Sequence, residues 1–489
     1  MMNYGQFLDM MPELILVVTL ILVFFLDFFS RSDQRTYALN ASAGMLVLLL
    51  ADLLFVFPKW DTAVSAFGGM YISNPSIVAI KAIMTFGALI VLIMSSAWIN
   101  NSDARKNAGE YVMLIICTLL GMFMMVSSGN FLMFFLGLEM ASVPMACLVA
   151  FDKHKKNSAE GGAKYIITAT FSSAVMLYGI SFIYGSAGTL YYDDVMQHIA
   201  FNSQNESQVP MLIMGLVFFF SGLAFKLSLV PFHFWTADTY EGAPTPVTGY
   251  LSVCSKGAAA FALMTILVKV FAPLTEYWEY MLYIVIVLSI TIANLFAIRQ
   301  KELKRFMAFS SISQAGYIML AVIGASQTGM AALMYYILVY VVANMAVFTV
   351  IATVEENNGG TTMMHSYNGL YQTNPKLAFL MTLALFSLAG IPPFAGMFSK
   401  FFVFMAAAQQ GSFWAYFVVF IALINTVVSL YYYLLIVKAM YIKQTDSPLP
   451  TFKTDSETRI ALAVCTAGIA LFGVCSCIYD WLFATSAGF

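Results

Sequence analysis

Residues 375–408 read PKLAFLMTLALFSLAGIPPFAGMFSKFFVFMAAA, and this stretch decides the fold. It is apolar and longer than the about 20 residues that a membrane-spanning helix needs. The tandem prolines at 392–393, flanked by Gly390 and Gly396, should break the helix because proline removes a helical hydrogen bond. Within lipid, the freed carbonyl groups must face protein or a water-filled cavity. Since Lys400 follows the break, the stretch predicts a discontinuous membrane helix that carries a charge.

The rest of the chain repeats this apolar pattern. Of 489 residues, 61% are hydrophobic and 10% are charged, whereas soluble domains carry roughly 25% charge. Nearly all the apolar content is therefore used by membrane spans, and no soluble domain fits in the remainder. The sequence predicts an all-α fold, a polytopic bundle of about fourteen transmembrane helices. The predicted spans are 11–30, 37–57, 76–98, 111–127, 129–150, 161–185, 210–235, 246–270, 280–298, 303–323, 329–353, 375–408, 414–438 and 459–484.

Two spans, the seventh and the twelfth, contain a break. Pro231 interrupts the seventh span, and each broken span has a nearby lysine, Lys226 or Lys400. Transporters built from inverted repeats carry interrupted helices at corresponding positions of their two halves. Because the broken spans are five apart, equivalent helices would cross in opposite directions, which predicts repeats of helices 4–8 and 9–13. Ordinary proline kinks are the alternative. The predicted divisions are 1–110 for helices 1–3, 111–270 and 271–440 for the repeats, and 441–489 for helix 14.

Positive charge is distributed unevenly between the two sides of the predicted bundle. Of 23 Lys and Arg residues, Lys59 and Lys269 lie on the side of the termini. Sixteen others, from Arg31 and Arg35 to Arg459, lie in the opposite loops. By the positive-inside rule both termini lie outside, which in a bacterium means the periplasmic side of the inner membrane.

Five lysines fall inside predicted spans: Lys81, Lys164, Lys226, Lys256 and Lys400. An ammonium group at bilayer depth costs at least about 2.5–3.5 kcal/mol, so it faces a partner or water and marks an ion route. Lys256 and Lys400 are candidate proton relays. Lys164 lies only a few residues inside its span, where it could relay protons or extend to the interface. Lys81 is predicted to extend to the interface by snorkelling.

Glu139 is the most deeply placed acid, about ten residues into the fifth span. Lys226 lies at a matching depth, so the two side chains could form an ion pair that stabilises both charges. If the pair opens, the desolvated lysine favours its neutral form and releases a proton. His233 could accept that proton, or it could be a hydrogen-bonded histidine at a helix end. Asp238 and Glu241 are interpreted as acids at the interface.

Polar side chains recur at helical spacing in several spans and predict a hydrated internal path, although such stripes also hold helices together. The residues include Thr168, Ser172, Ser252, Ser310, Gln314, Tyr317, Asn344, Asn425, Ser429 and Tyr432. All six cysteines lie in apolar segments with a spacing that fits neither disulfides nor a metal cluster. We therefore expect no cofactor in this chain.

Several stretches resemble the antiporter-like membrane subunits of the proton-pumping NADH–quinone oxidoreductase, respiratory complex I. They are GLEMASVP at 137–144, AFK at 224–226, PFHFW at 231–235, YEGAPTPVT at 240–248 and residues 390–400. The resemblance implies two inverted five-helix repeats in a membrane arm that translocates protons when quinone is reduced elsewhere. It also implies that NAD, FMN, iron–sulfur clusters and quinone belong to partner subunits.

The same resemblance assigns roles to individual residues. Glu139 matches the ion-pair glutamate, Lys226 its partner, Lys256 the central lysine, Lys400 the lysine of the second half and Lys164 an additional lysine of the sixth helix. Lys400 and the end of the chain after fourteen spans match the shorter of these subunits better than its larger sisters. Ala237 departs from the family pattern, which usually has proline there.

The sequence thus predicts a proton-translocating subunit of a quinone oxidoreductase, an enzyme complex whose redox chemistry lies in other chains. Its expected partners are other membrane-arm subunits and the lipid bilayer, with no nucleic acid. The alternatives are a subunit of a multisubunit sodium/proton antiporter, a subunit of a related hydrogenase membrane arm, and a scaffold that conducts no ions.

Overall fold

A computed structural model describes residues 4–29, 37–56, 63–202, 209–445 and 448–488. Arg31, Arg35 and Lys59, used above in the charge argument, lie outside the described residues. The α-helices are α1 Met11–Phe29, α2 Tyr37–Ala51, α3 Pro75–Asn101, α4 Ala108–Val126, α5 Phe131–Val149, α6 Lys156–Ala187, α7 Tyr192–Asn202, α8 Val209–Leu227, α9 Phe234–Gly242, α10 Thr245–Tyr250, α11 Lys256–Lys269, α12 Thr275–Ala297, α13 Leu303–Ile323, α14 Gln327–Asn357, α15 Leu370–Thr373, α16 Pro375–Ala389, α17 Ala395–Ala408, α18 Phe413–Tyr441, α19 Ser456–Val474 and α20 Cys477–Thr485.

The predicted membrane architecture is confirmed. Within the described ranges, thirteen helical spans are long and apolar enough to cross a membrane, and the two shorter helices α16 and α17 supply the broken twelfth span. The fold is all-α apart from a small hairpin, in which β1 (Val64–Ala66) pairs antiparallel with β2 (Tyr71–Ser73). This hairpin and the short helix α7 were not predicted from the sequence.

Both predicted breaks are present. The seventh membrane helix ends at Leu227 in α8 and resumes at Phe234 in α9, and the twelfth ends at Ala389 and resumes at Ala395. A third irregularity was not predicted: residues Leu251–Ser255 form a π-helical turn between α10 and α11. Such turns occur frequently at functional sites. These three irregularities lie next to one of the lysines, Lys226, Lys400 or Lys256, whereas a second π-helical turn, Asp52–Val56, follows α2.

The buried centre of the bundle consists of α3, α11, α13 and α14, whereas α1, α2, α6, α18 and α19 surround it. The outer helices expose large apolar side chains such as Phe28, Phe171 and Phe420. Because monomeric soluble proteins rarely expose apolar surface on this scale, this perimeter is suited to lipid or to neighbouring membrane helices.

Close packing fixes helix α5, which carries Glu139, against α4. A Cβ atom at Gly121 would overlap the backbone of Ala141, and one at Gly137 would overlap the backbone of Met125. Small residues let membrane helices approach at backbone distance, where packing attraction stabilises their association. The position of α5 is therefore set independently of its charged residue.

Candidate functional site

Lys226, at the end of α8, has an exposed fraction of only 4%. Its Nζ donates hydrogen bonds to the Ser142 hydroxyl at 2.7 Å and to the Tyr165 hydroxyl at 3.2 Å. Both acceptors are neutral, so the ammonium group is held by hydroxyl groups that it recruits from α5 and α6.

The predicted pair of Glu139 and Lys226 is not closed. Among the described ion pairs, which require a nitrogen–oxygen separation of at most 4.0 Å, none joins these two residues, although their charges interact at longer range. Glu139 Oε1 is buried and lacks a hydrogen-bond partner in the described structure. Ser142 lies one helical turn after Glu139, so its hydroxyl contacts the ammonium group on the side of α5 that the glutamate shares.

Lys256 is the first residue of α11, directly after the π-helical turn, and is 1% exposed. Its Nζ donates to the Ser311 hydroxyl at 2.6 Å, and that hydroxyl also bonds to the Tyr240 hydroxyl at 3.2 Å. The ammonium group lies 5.5 Å from the centroid of the Tyr240 ring, within the range of a cation–π contact. The central lysine is therefore joined to α9 of the first half and to α13 of the second half.

His233 lies in the break between α8 and α9 and is 8% exposed. Its Nδ1 has no hydrogen-bond partner within the described chain, and its ring interacts electrostatically with Lys256. No described hydrogen bond joins it to Lys226, the residue whose proton it was expected to accept. His233 thus has a longer-range electrostatic interaction with Lys256 and, among the described residues, no hydrogen bond to either lysine.

Lys400, in α17, is 4% exposed and donates to the Ala389 carbonyl at 2.9 Å. That carbonyl ends α16 at the helix break, where its usual helical partner is missing. The Nζ also lies 5.1 Å from the Tyr317 ring centroid. The predicted broken helix therefore supplies the acceptor for its own lysine.

Amide and hydroxyl side chains lie between Lys256 and Lys400. On α13, one helical turn beyond Ser311, Gln314 donates to the Tyr433 hydroxyl at 3.2 Å and accepts from the Tyr336 hydroxyl. A cavity of about 10 Å³ joins this cluster to Lys400, and its lining includes Gln314, Tyr336, Tyr340, Ser399 and Lys400. That volume is close to the minimum that one water molecule requires. The arrangement provides polar groups along the path from one amine to the other.

Lys164 differs from the other lysines in its exposure, because 43% of its side chain is accessible to solvent. It forms 2.6 Å ion pairs with Glu160 and Asp238. Asp238 also pairs with Arg305 at 2.7 Å, and Arg305 pairs with Glu241 at 2.6 Å. We call these five residues the ionic cluster. It joins α6 and α9 to α13 and includes both acids that were expected at the interface.

The snorkelling predicted for Lys81 is wrong. Lys81 is 0% exposed, and its Nζ forms a 2.6 Å ion pair with Glu13 and a 3.1 Å hydrogen bond to the Tyr71 hydroxyl. Tyr71 also donates to the second Glu13 oxygen at 3.1 Å. We call these three residues the outer triad. The acid 68 positions earlier in the chain satisfies the lysine inside the protein.

A family model described as NADH:quinone oxidoreductase/Mrp antiporter, TM matches residues 128–427. The chain belongs to this antiporter-like membrane family. The matched range contains Glu139, Lys226, Lys256 and Lys400, whereas the outer triad precedes it.

Relatives within this family match nearly the whole chain. "NADH-quinone oxidoreductase subunit N" of Phocaeicola vulgatus is 56% identical over 99% of this chain and 100% of its own length. The subunit N of Moorella thermoacetica is 36% identical over 91% and 90% of the two chains. These similarities agree with the preference for the shorter subunit that Lys400 indicated.

Solved structures have the same fold. A chain of respiratory complex I from Thermus thermophilus with bound aureothin is 28% identical with a TM-score of 0.78, covering 95% of this chain and 97% of that one. A chain of the Mrp complex from Dietzia has a TM-score of 0.82 at 20% identity, covering 98% and 96%. At that identity the second match supports the fold alone.

Proposed function

We propose that this chain is a proton-translocating membrane-arm subunit of an NADH–quinone oxidoreductase, driven by quinone reduction in neighbouring subunits. The names of its relatives support the choice of complex. The observation that carries the role of the chain itself is the set of buried amines Lys226, Lys256 and Lys400, each bonded to neutral oxygen atoms. An amine with only neutral acceptors can gain or lose a proton without breaking a fixed ion pair.

The first proton-transfer step involves Glu139 and Lys226. If the free Glu139 oxygen approaches Lys226, the resulting pair stabilises the ammonium ion in the low-dielectric interior. When the pair opens, desolvation favours the neutral amine and the proton leaves. In the structure Glu139 and Lys226 are unpaired, which corresponds to the open state that favours the neutral amine. Movement of a single carboxylate could thus convert a signal from neighbouring subunits into proton release.

The later steps use the polar groups around the other two lysines. Ser311 and Tyr240 contact Lys256, and His233 interacts with it electrostatically at longer range. From there, Gln314 and its tyrosine partners extend towards Lys400, and the small cavity can hold a water molecule that completes the connection. We assign Lys164 to the ionic cluster at one end of the bundle, where its exposure would let it exchange protons with water.

We further propose that α4–α11 and α12–α18 are the inverted repeats, with the helix breaks at equivalent places. The spacing of the two breaks, five membrane helices apart, supports this division, and each break has a lysine nearby, Lys226 before the first and Lys400 after the second. We also propose that both termini face the periplasm and that the chain holds no redox cofactor. Among the described residues, no group of three or more His, Cys, Asp or Glu side chains could hold a metal ion.

The test is proton pumping by the whole complex in sealed vesicles, driven by NADH and quinone. We expect Lys226→Ala and Glu139→Ala to lower the number of protons moved per NADH oxidised, because each removes one partner of the switch. Lys438→Ala, which truncates an exposed lysine of α18, is the matched control and should pump normally. Full pumping by both test variants in an assembled complex would favour a scaffold and contradict the proposal.

A sodium/proton antiporter subunit is the second candidate, because the family includes Mrp antiporters. Ion dependence separates the two. Pumping that continues unchanged in sodium-free buffer supports proton translocation, whereas pumping that requires sodium supports the antiporter.

A further inference from the structure

A cavity of about 870 Å³ opens between α16 and α19, and none of the residues proposed for proton transfer lines it. This volume is within the range of about 300–1,000 Å³ that small-molecule sites occupy. Helices α16 and α19 form two walls of the cavity, and residues 451–454, before α19, form the third.

Hydrogen bonds hold the walls of the cavity together. Asn374 donates from its side chain to the Pro450 carbonyl at 3.1 Å and accepts from the Phe452 amide at 3.3 Å. The Thr451 hydroxyl donates to the Thr373 carbonyl at 3.3 Å. The segment before α19 is thus fixed to the start of α16, so hydrogen bonds within the fold set the shape of the cavity.

The mouth of the cavity is strongly basic. Lys376, Lys453 and Arg459 line it and are exposed, and none of the three forms an ion pair with a carboxylate in the part of the chain that the structure describes. Asp455 and Glu457 are close in sequence, but no described ion pair joins either carboxylate to these cations. Three unneutralised cations therefore converge on one opening.

The body of the cavity is apolar. Leu377 and Leu380 of α16 face Leu462, Ala463 and Ala467 of α19 across it. Helix α19 belongs to the bundle perimeter and α16 exposes Phe379, so the groove between them continues along a surface that is suited to lipid. A basic mouth above an apolar groove between two membrane helices complements a molecule with an anionic head and an aliphatic tail. Basic pockets of this kind on the cytoplasmic side of membrane proteins bind anionic lipid headgroups.

We propose that this cavity binds one anionic phospholipid. The phosphate lies among Lys376, Lys453 and Arg459, and one acyl chain lies along the groove between α16 and α19. The inference does not depend on proton translocation, because it uses none of the residues assigned to the lysine path.

The test counts lipids on the purified whole complex. Delipidated complex is mixed with detergent micelles that contain phosphatidylglycerol or phosphatidylcholine, and bound lipid is counted by native mass spectrometry. The triple variant Lys376→Gln, Lys453→Gln, Arg459→Gln should lose one phosphatidylglycerol and keep its phosphatidylcholine count. Each basic residue contributes a factor of about 5, so the affinity of this site should fall roughly 100-fold.

Two further variants separate a lipid from a free anion. Ala463→Phe and Ala467→Phe fill the groove without changing charge, and both residues are exposed, so the fold should tolerate them. Each should also lower phosphatidylglycerol binding. If the groove variants bind normally while only the charge variant loses ligand, or if inorganic phosphate displaces the lipid from the site, the cavity takes a free phosphate and the proposal is wrong.

A matched charge control is available on the same basic side of the bundle. Lys153→Gln, Lys156→Gln, Lys301→Gln removes the same number of charges at exposed positions outside the cavity. It should keep the phosphatidylglycerol count of the unchanged complex. An equal loss of lipid in this control and in the cavity variant would show a general effect of charge and would overturn the site.

Discussion

At the scale of single residues, the four buried lysines that were predicted inside membrane spans divide by what holds their ammonium groups. Lys81 is paired with a carboxylate, whereas Lys226, Lys256 and Lys400 are bonded to hydroxyl or carbonyl oxygens. A buried ion pair favours the charged state of both partners and resists titration. The outer triad therefore has the chemistry of a permanent link between α1 and α3, and the other three lysines have the chemistry of exchange sites.

This distinction gives a prediction for the outer triad. Lys81→Met leaves Glu13 as an unpaired buried charge and should destabilise the subunit by about 3–5 kcal/mol. The double variant Lys81→Met, Glu13→Leu removes both charges and should recover much of that loss. Thermal melting of the purified complex measures stability, and the number of protons moved per NADH should stay unchanged in complexes that assemble. A fall in that ratio would place Lys81 on the proton path instead.

The sequence located these lysines but could not identify their partners. Lys226 bonds to Ser142 and Tyr165, which are 84 and 61 positions away in the chain. Such contacts depend on how helices pack and on which way each side chain turns, and neither follows from periodicity. The wrong prediction for Lys81 has the same origin. Its position in the third span was predicted correctly, but the sequence did not show that α1 places Glu13 beside it.

At the scale of elements, irregular backbone recurs next to every lysine of the path. Proline and glycine made the breaks after α8 and α16 predictable from sequence, because their effect on helical hydrogen bonding is local. The π-helical turn before Lys256 contains neither residue, so nothing local in the sequence indicated it. Broken helices leave free carbonyl groups, and at Lys400 one of these becomes the ligand of the amine.

The break after α16 depends on a glycine. A Cβ atom at Gly396 would overlap the carbonyl oxygen of Ser387, so Gly396→Ala must push α17 away from α16 and displace Lys400. Overpacking of this kind costs about 1–3 kcal/mol. We expect a lower melting temperature and weaker pumping in the complexes that assemble.

The control for this change is Gly44→Ala in α2. No heavy atom of the described structure lies within 4 Å of a Cβ built there, and alanine favours a helix over glycine by about 1 kcal/mol. This variant should be as stable as the unchanged protein or slightly more so. Equal melting temperatures for both variants would show that the break tolerates a side chain.

At the scale of the whole molecule, composition and apolar length were sufficient to predict the number of spans, and proline and glycine located the two broken helices. The hairpin and α7 were not predicted, because neither is apolar enough or long enough to show hydrophobic periodicity in the sequence. The contact between α9 and α13 was also not predicted: Arg305 belongs to the start of α13, yet it bonds to Asp238 and Glu241 of α9. Only the folded bundle shows that the ionic cluster connects these two helices.

That connection can be measured with a double-mutant cycle. The Arg305 and Asp238 side chains are each about one-third exposed, so their ion pair should contribute no more than about 1 kcal/mol to stability. If this pair transmits motion between α9 and α13, Arg305→Gln and Asp238→Asn should each lower the number of protons moved per NADH. The loss in the double variant should be smaller than the sum of the two single losses, because both substitutions break the same ion pair. Arg299→Gln, at an exposed position just before α13, is the matched control. Additive losses would mean that the two residues act separately and that the two helices are coupled elsewhere.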